Sequence, residues 1–187
     1  IYEYIGTKNQ TIGDALPSNV YRLKINNTGA ADDNIVSLTR NIFIRDSLAI
    51  DSGVFNLQTN FATGSDTAHF SVLSDARLRI TGNNTLLTSL NGYLGYNFDV
   101  NSYIEFFGAE QIISNFPANL VRTVGLGNVI TSEAGFKRVN DTFKVRGNIW
   151  INNASTLYIA GPQLLQVSKN VVNSSIINNN GIIEIGE

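Results

Sequence analysis

The sequence predicts an all-β protein built as a β-solenoid, a single coil of short stacked strands. The stretch from Ile42 to Leu57 carries the first observation: three apolar triplets separated by polar or glycine-bearing segments. Residues two apart in a strand share a face, so each triplet presents two aliphatic side chains to one side. Two side chains are too few to anchor an isolated strand. They suffice when other turns of a coil stack above and below them.

Composition is the second observation. Hydrophobic residues make up 43% of the 187 residues and charged residues only 15%, while Asn, Ser, Thr and Gly are frequent. Asn suits tight corners because it tolerates left-handed backbone and hydrogen-bonds within its own turn. No window of about 12 residues holds a clean helical period free of Gly or Asn clusters, so no long helix is expected.

The same alternation predicts strands along the rest of the chain. The segment Ala30 to Asn34 reads as a loop, and the polar, glycine-bearing segment Gln58 to Thr67 as a longer excursion from the coil. Asn83 to Tyr96 fits the pattern poorly and is expected to be a loop with one short strand. The predicted strands are Tyr2–Ile5, Gln10–Ile12, Val20–Ile25, Ile35–Leu38, the three triplets, Phe70–Val72, Leu78–Ile80, Phe98–Val100, Val145 and Ile149–Ile151, Leu157–Ile159, Ile176–Ile177 and Ile182–Ile185.

A longer repeat is superimposed on the triplets. Three ordered segments reappear at an offset close to 101 residues, with small insertions and deletions. The matched pairs are Tyr4-Ile5-Gly6 with Phe106-Phe107-Gly108, Leu16-Pro17 with Phe116-Pro117, and Ile44-Arg45 with Val145-Arg146. We therefore expect one solenoid segment over residues 1–187, made of two related stretches, about 1–102 and 103–187.

Charge and residue usage exclude several classes. The net charge of −2 offers no basic patch for nucleic acid. No apolar run approaches the roughly 18 to 20 residues of a membrane span. Without cysteine, disulfides and thiolate metal sites are excluded, and no cofactor is expected. The chain also contains no methionine, so Ile1 is not an initiator and we expect a piece of a longer protein.

Two motifs resemble a known group of proteins. Tyr4-Ile5-Gly6 with Gln10-Thr11-Ile12, followed by Tyr21 to Asn27, is similar to the repeat region of large secreted cell-surface proteins of the Bacteroidetes. The segment Asn179-Asn180-Gly181-Ile182 to Gly186 is similar to the repeat pattern of the same group of proteins. The resemblance implies a right-handed parallel β-helix, export by the type IX secretion system, and an adhesin-like or filament-forming role.

Two groups of residues are candidate chemical sites. Asp32 and Asp33 are the only candidates for a metal site, since calcium prefers several oxygen ligands. A solvated corner is the favoured interpretation, because no third carboxylate lies nearby in the sequence. His69 is the only histidine, and no Gly-x-Ser-x-Gly elbow accompanies it, so we expect a structural role.

The predicted outward positions bear on catalysis. Polysaccharide lyases and hydrolases need carboxylates and bases clustered on one exposed face, but the outward triplet centres form a mixed set. Three of them, Phe43, Trp150 and Tyr158, can form an aromatic strip that stacks on sugar rings. Cover by a side loop or a neighbouring domain is the favoured alternative. The predicted outward centres include Lys24, Phe43, Ala49, Arg79, Asp99, Lys144, Trp150 and Tyr158.

Three short motifs resemble the Asp-Ser/Thr-aliphatic O-glycosylation motif of secreted Bacteroidetes proteins. They make Ser47, Thr67 and Thr142 candidate glycosylation sites, with Thr142 the weaker match because Phe143 follows it. All three are expected at corners, where a glycan can be accommodated.

The expected function is a rigid stalk or surface-binding scaffold in an extracellular cell-surface protein, without catalysis. Expected partners are neighbouring domains of the same chain, with surface polysaccharide or other cell-surface proteins as further candidates. The alternative is a carbohydrate-binding or polysaccharide-degrading β-helix domain. A viral fibre is a third possibility, and it would be a stable trimer.

Overall fold

The computed structural model describes residues 1–82, 89–113, 125–152 and 154–186. These residues are nearly all-β, and their strands stack in parallel as a β-solenoid, which confirms the predicted fold class. Right-handedness stays a prediction from the resemblance. The match of Leu16-Pro17 with Phe116-Pro117 and part of the predicted loop from Asn83 lie outside the described residues.

The described strands form four parallel sheets. Sheet 1 contains β1 (Tyr2–Gly6), β3 (Asn19–Asn27), β5 (Ile42–Ser52), β7 (Ala62–Gly64), β8 (His69–Val72) and β10 (Gly95–Phe98). Sheet 2 contains β2 (Gln10–Ile12), β4 (Ile35–Leu38), β6 (Val54–Asn56), β9 (Arg77–Thr81), β11 (Tyr103–Phe107), β13 (Asn128–Ser132), β16 (Ile149–Ile151) and β19 (Val171–Asn173). Sheet 3 contains β12 (Gln111–Ile113), β14 (Gly135–Val139), β17 (Ser155–Ile159) and β20 (Ile176–Asn179). Sheet 4 contains β15 (Phe143–Val145), β18 (Leu164–Val167) and β21 (Ile182–Ile185).

The chain contributes one strand of sheet 2 to each of eight successive turns. The first four turns alternate between sheets 1 and 2, the fifth visits sheets 1, 2 and 3, and the last three visit sheets 2, 3 and 4. Register partners on adjacent turns are from 18 residues apart, as Leu165 and Ile183, to 26 apart, as Leu78 and Ile104. The spatial repeating unit is therefore one turn of variable length.

The core consists of aliphatic and aromatic side chains stacked along the axis. In sheet 2, one inward column is fully buried over six turns: Val36, Phe55, Leu78, Ile104, Val129 and Ile149. Fully burying such a side chain stabilises the fold by about 1.5 to 3 kcal/mol relative to leaving it exposed. The triplet alternation predicts that six further side chains point into the core, and all are 0% exposed, which confirms their register: Ile44, Leu48, Ile50, Val145, Ile149 and Ile151.

Asparagine side chains link the corners of successive turns. Asn128 Oδ1 accepts a hydrogen bond from the Asn148 backbone N–H at 2.9 Å. One turn further, Asn148 Oδ1 accepts a hydrogen bond from the Asn170 backbone N–H at 3.2 Å. These bonds satisfy backbone groups that a corner removes from the ladder. The abundance of asparagine thus has a structural role in holding the corners in register.

The predicted corner at Arg45-Asp46-Ser47 is wrong, because β5 runs through it. Its pairing with β3 shifts there: Val20 pairs with Ile44, but Arg22 pairs with Ser47. The extra residue forms a β-bulge rather than a corner, since strands on both sides hold the backbone extended. Asp46 instead forms an ion pair with Arg22, with Oδ2 2.5 Å from Nε.

Two other strand predictions need correction. Within the expected excursion Gln58 to Thr67, Ala62–Gly64 pairs with β5 as β7. Its short side chains leave room for Tyr93, since a Cβ at Gly64 would lie 2.5 Å from that ring. The strand expected at Phe98–Val100 ends at Phe98, because the Asp99 carboxylate accepts a hydrogen bond from the Asn101 N–H at 2.8 Å and forms a turn.

Candidate functional site

The outward face of sheet 2 carries a carboxylate held by two arginines. Glu105 on β11 faces outward, yet its side chain is only 5% exposed. Its Oε2 accepts hydrogen bonds from Arg79 Nε at 2.8 Å and Arg77 Nη1 at 3.3 Å. Its Oε1 accepts from Ser132 Oγ at 2.8 Å. Both oxygens are therefore occupied by protein donors from the strands on either side.

Aromatic rings surround this cluster. The Arg77 guanidinium lies over the Tyr103 ring at 5.6 Å, and that of Arg79 lies over the Phe107 ring at 4.7 Å. Tyr103 in turn contacts Trp150 across the intervening strand β13, with ring centroids 5.9 Å apart. Cation–π contacts of this kind stabilise by about 0.5 to 2 kcal/mol, more when desolvated. The rings and arginines form one connected layer of contacts around Glu105.

In this layer Glu105 holds the side chains of neighbouring strands in place and is not suited to proton transfer. A general acid or base must reach the proton it transfers, at about 2.6 to 3.2 Å or through one water. The Glu105 oxygens already face Arg77, Arg79 and Ser132, and the residue is 4% exposed. The small cleft of about 100 Å³ beside the arginines, which Asp32 and Asp75 also line, is less than the volume typical of a small-molecule site.

The outward face of sheet 3 is more open. Phe136 is 46% exposed and Ile112 is 44% exposed. The Arg138 guanidinium lies 5.0 Å above the Tyr158 ring, and the Tyr158 hydroxyl accepts a hydrogen bond from Asn180 Nδ2 at 3.1 Å. A groove of about 320 Å³ runs along this face, lined by Glu110, Gln111, Ile112, Phe136, Arg138 and Asn140.

The predicted aromatic strip is wrong as a single surface. Phe43 lies on sheet 1, Trp150 on sheet 2 and Tyr158 on sheet 3, so the three rings face different sides of the coil. Successive triplets of one turn belong to different sheets, and sequence rhythm alone does not reveal this. Two of the rings instead contact neighbours on their own sheet: Trp150 contacts Tyr103, and Tyr158 contacts Arg138.

The weak metal candidates lie at a corner between β3 and β4. Asp32 has a left-handed backbone with φ of 72°, and its carbonyl accepts from Asn9 Nδ2 at 2.8 Å. The Asp33 carboxylate pairs with Lys8 Nζ at 2.5 Å. Within residues 1–82, 89–113, 125–152 and 154–186, no group of three or more His, Cys, Asp or Glu is placed to hold a metal ion. His69 begins β8 beside Phe70.

The three candidate glycosylation residues differ in position. Thr67 is exposed in the turn between β7 and β8, and its Oγ1 lies 3.1 Å from Ser65 Oγ. Thr142 precedes β15, and its Oγ1 accepts from the Leu164 N–H at 3.2 Å. Ser47 lies inside β5 at the bulge, not at a corner as predicted, and its hydroxyl donates to Asp46.

The interior contains an unexpected polar group. Lys137 on β14 points inward and is fully buried, and its ammonium donates to the carbonyl oxygens of Gly108 and Glu133. Burial lowers the pKa of Lys137 from its usual 10.5, and the nearby negative charge of Glu133 opposes that effect. Its register neighbour Gln111 is also buried, and Gln111 Nε2 donates to the Ile80 carbonyl at 2.9 Å.

Sequence reasoning missed Glu105 and Phe136. A period-two signal was present for Glu105, since Tyr103, Glu105 and Phe107 alternate with the inward Ile104 and Phe106. For Phe136 the signal was misleading. An inward lysine at position 137 breaks the apolar alternation that would have placed Phe136 outward.

Comparison with known proteins adds no family to this description. No protein-family model matches the chain, and no curated protein and no solved structure matches it. In the part of the chain that the structure describes, no helix is long and apolar enough to cross a membrane.

Proposed function

We propose that this chain is a rigid solenoid module of an extracellular cell-surface protein, acting as a stalk or surface-binding scaffold without catalysis. The observation that carries the proposal is the uninterrupted ladder of sheet 2, with one strand in each of eight turns. Each inner strand is bonded to the turns before and after it, so load along the axis is shared by many backbone hydrogen bonds.

The arrangement of the outward groups supports a role without catalysis. Glu105, the most buried outward carboxylate, is engaged by Arg77, Arg79 and Ser132. Such a network fixes side chains in place and stiffens the face. The alternative, a carbohydrate-degrading domain, requires carboxylates free to act on a substrate.

The resemblance of the Tyr4 to Asn27 region supports the extracellular location and type IX export. In that setting the partners are neighbouring domains of the same chain, surface polysaccharide or other cell-surface proteins. Exposed Thr67 at a corner is compatible with a glycoprotein. Protease treatment of intact cells, followed by detection of this segment, tests the location, and a segment protected from protease on intact cells would contradict it.

Removal of one whole turn tests the scaffold role. Deleting residues 149–170 joins Asn148 to Val171 and places Val171 in the register position of Ile149. We expect the shortened chain to keep its β-type circular dichroism and cooperative unfolding, because the solenoid is modular. The matched control deletes residues 149–159, about half a turn, and should not fold.

Two results would contradict the proposal. Loss of folding in both deletions would show that the turns are not interchangeable structural units. New reducing ends or unsaturated products from a polysaccharide incubated with the purified chain would show catalysis.

A further inference from the structure

The outward face of sheet 3 presents two rows of side chains across successive turns. One row joins Ile112, Arg138, Tyr158 and Asn178 in register. The second row joins Phe136, Thr156 and Ile176. Adjacent strands are about 4.8 Å apart, so each row offers a new contact at nearly every turn. A surface of this form fits a linear polymer better than an isolated small molecule.

The face is apolar and exposed where a soluble surface is normally polar. Phe136, Ile112 and Ile176 are 46%, 44% and 53% exposed. Exposed apolar patches rimmed by polar groups mark ligand grooves and interaction sites. The groove of about 320 Å³ beside Phe136 lies within the range of roughly 300 to 1,000 Å³ seen for ligand sites.

The polar groups of the groove have opposite charges. Arg138 and Glu110 both line it, and neither forms an ion pair within the described ranges. A guanidinium donates hydrogen bonds and a carboxylate accepts them, so together they match the hydroxyl groups of a sugar. Because the two charges cancel, the groove has no net attraction for an anionic chain.

Arg138 is held in position before any ligand arrives. Its guanidinium stacks on Tyr158, which is itself hydrogen-bonded by Asn180 from the following turn. A side chain that is already ordered loses less conformational entropy on binding. Phe136 sits on the same strand two residues away, so its ring lies beside an oriented donor.

We propose that the groove lined by Glu110, Ile112, Phe136 and Arg138 binds a neutral, hydroxyl-rich polysaccharide chain. A sugar ring packs its C–H face on Phe136 while its hydroxyls donate to Glu110 and accept from Arg138. This inference rests on the surface-binding part of the proposed function and deepens it by naming the face and the class of ligand; it does not depend on the stalk role.

Affinity electrophoresis of the intact 187-residue chain tests the proposal. The probes are neutral polysaccharides (xyloglucan, galactomannan and mixed-linkage β-glucan) and acidic ones (polygalacturonate and alginate). We expect at least one neutral polysaccharide to retard the chain, and Phe136→Ala and Arg138→Ala each to weaken that binding about tenfold. Phe43→Ala is the matched control, since Phe43 is 37% exposed on sheet 1, and it should bind like the parent.

Several outcomes would overturn the proposal. These are no retardation by any neutral probe, retardation by acidic probes alone, or equal loss in the Phe43 control. A concentration-dependent dimer that Phe136→Ala makes monomeric would assign the face to a second copy of the chain. Circular dichroism of each variant excludes unfolding as the cause, and intact scaffold folding with no glycan binding would reject this inference alone.

Discussion

Glu105 on β11 and Arg79 on β9 form an ion pair on the outward face of sheet 2, with Oε2 2.8 Å from Nε. Their side chains are only 5% and 15% exposed. Carboxylates are rarely buried unless they are paired. The burial of the pair comes from the side chains that cover it, and Arg79 itself lies over the Phe107 ring. Part of the outward face of sheet 2 is therefore buried, although it lies outside the main core.

Replacing Glu105 with Gln should destabilise the chain. The change removes the charge that balances Arg77 and Arg79 and leaves their donors imperfectly paired. We expect a loss of about 1 to 3 kcal/mol in the free energy of unfolding, measured by urea denaturation. Asp46→Asn is the matched control, because the Arg22–Asp46 pair is 47% and 32% exposed and should contribute far less. Equal losses in the two variants would contradict the idea that burial makes the Glu105 pair important.

Truncation of buried core side chains is a second test. Ile50→Ala and Ile151→Ala each remove a side chain that is fully buried between two turns. We expect each to lower the free energy of unfolding by about 2 to 5 kcal/mol, the usual range for such changes. Phe43→Ala, on an exposed position of β5, should change it by less than about 0.5 kcal/mol. A loss below that value at both Ile50 and Ile151 would show that the register is wrong.

The triplet pattern predicted most of the strands because period-two alternation follows directly from strand geometry. The pattern gave wrong strand boundaries where packing between turns determines the backbone conformation. At β7, Gly64 is accepted in a strand because Tyr93 fills the space beside it. At Ser47, pairing on both sides converts an expected corner into a bulge. Such information lies in contacts between turns, which are distant in sequence.

Residues matched at the 101-residue offset occupy different places in the coil. Ile44 belongs to sheet 1, whereas its match Val145 belongs to sheet 4. The triplet rhythm is shared by all sheets, so sequence similarity does not identify the sheet. The division near residue 102 stays a prediction. The aromatic strip failed for the same reason, and Glu105 was missed because its burial depends on neighbours from other turns.

Lys137 should make stability depend on pH. Burial lowers its pKa in the folded chain below 10.5. Between the folded and unfolded pKa values, the unfolded chain binds more protons, so the free energy of unfolding rises with pH. Below the folded pKa both states are protonated, and this contribution is constant. Lys137→Met should therefore abolish a rise in stability that the parent shows as pH approaches about 10.

The comparison of parent and variant cancels other titrating groups. Burial raises the pKa of Tyr93 well above 10, so its contribution to stability falls as pH rises past 10 in both proteins. Thermal unfolding of parent and variant between about pH 8 and 10 gives the difference. Parallel curves would show that the Lys137 ammonium is not desolvated in the folded chain.

Gly135 should not tolerate a side chain. Its φ is +117°, and a Cβ there would lie 1.7 Å from the Ala109 carbonyl oxygen. Gly135→Ala therefore combines backbone strain of about 1 to 3 kcal/mol with a steric clash between turns. Gly13→Ala is the matched control, because a Cβ at Gly13 meets nothing within 4 Å. Urea denaturation that shows equal stability for the two variants would mean that the corner at Gly135 is placed incorrectly.

The last turn should be the least protected part of the 187-residue chain. Ile185 continues the inward column of Val145 and Val167, yet it is 57% exposed, whereas Ile151 is 0% exposed. In the described residues, β21 pairs only with β18, so its outer edge carries unpaired backbone groups. Such an edge exchanges its amides quickly and pairs readily with another chain. We expect hydrogen exchange at β21 to be faster than at β16, and light scattering to show association that grows with concentration. A strict monomer with equal protection at both strands would show that the outer edge of β21 is covered in solution.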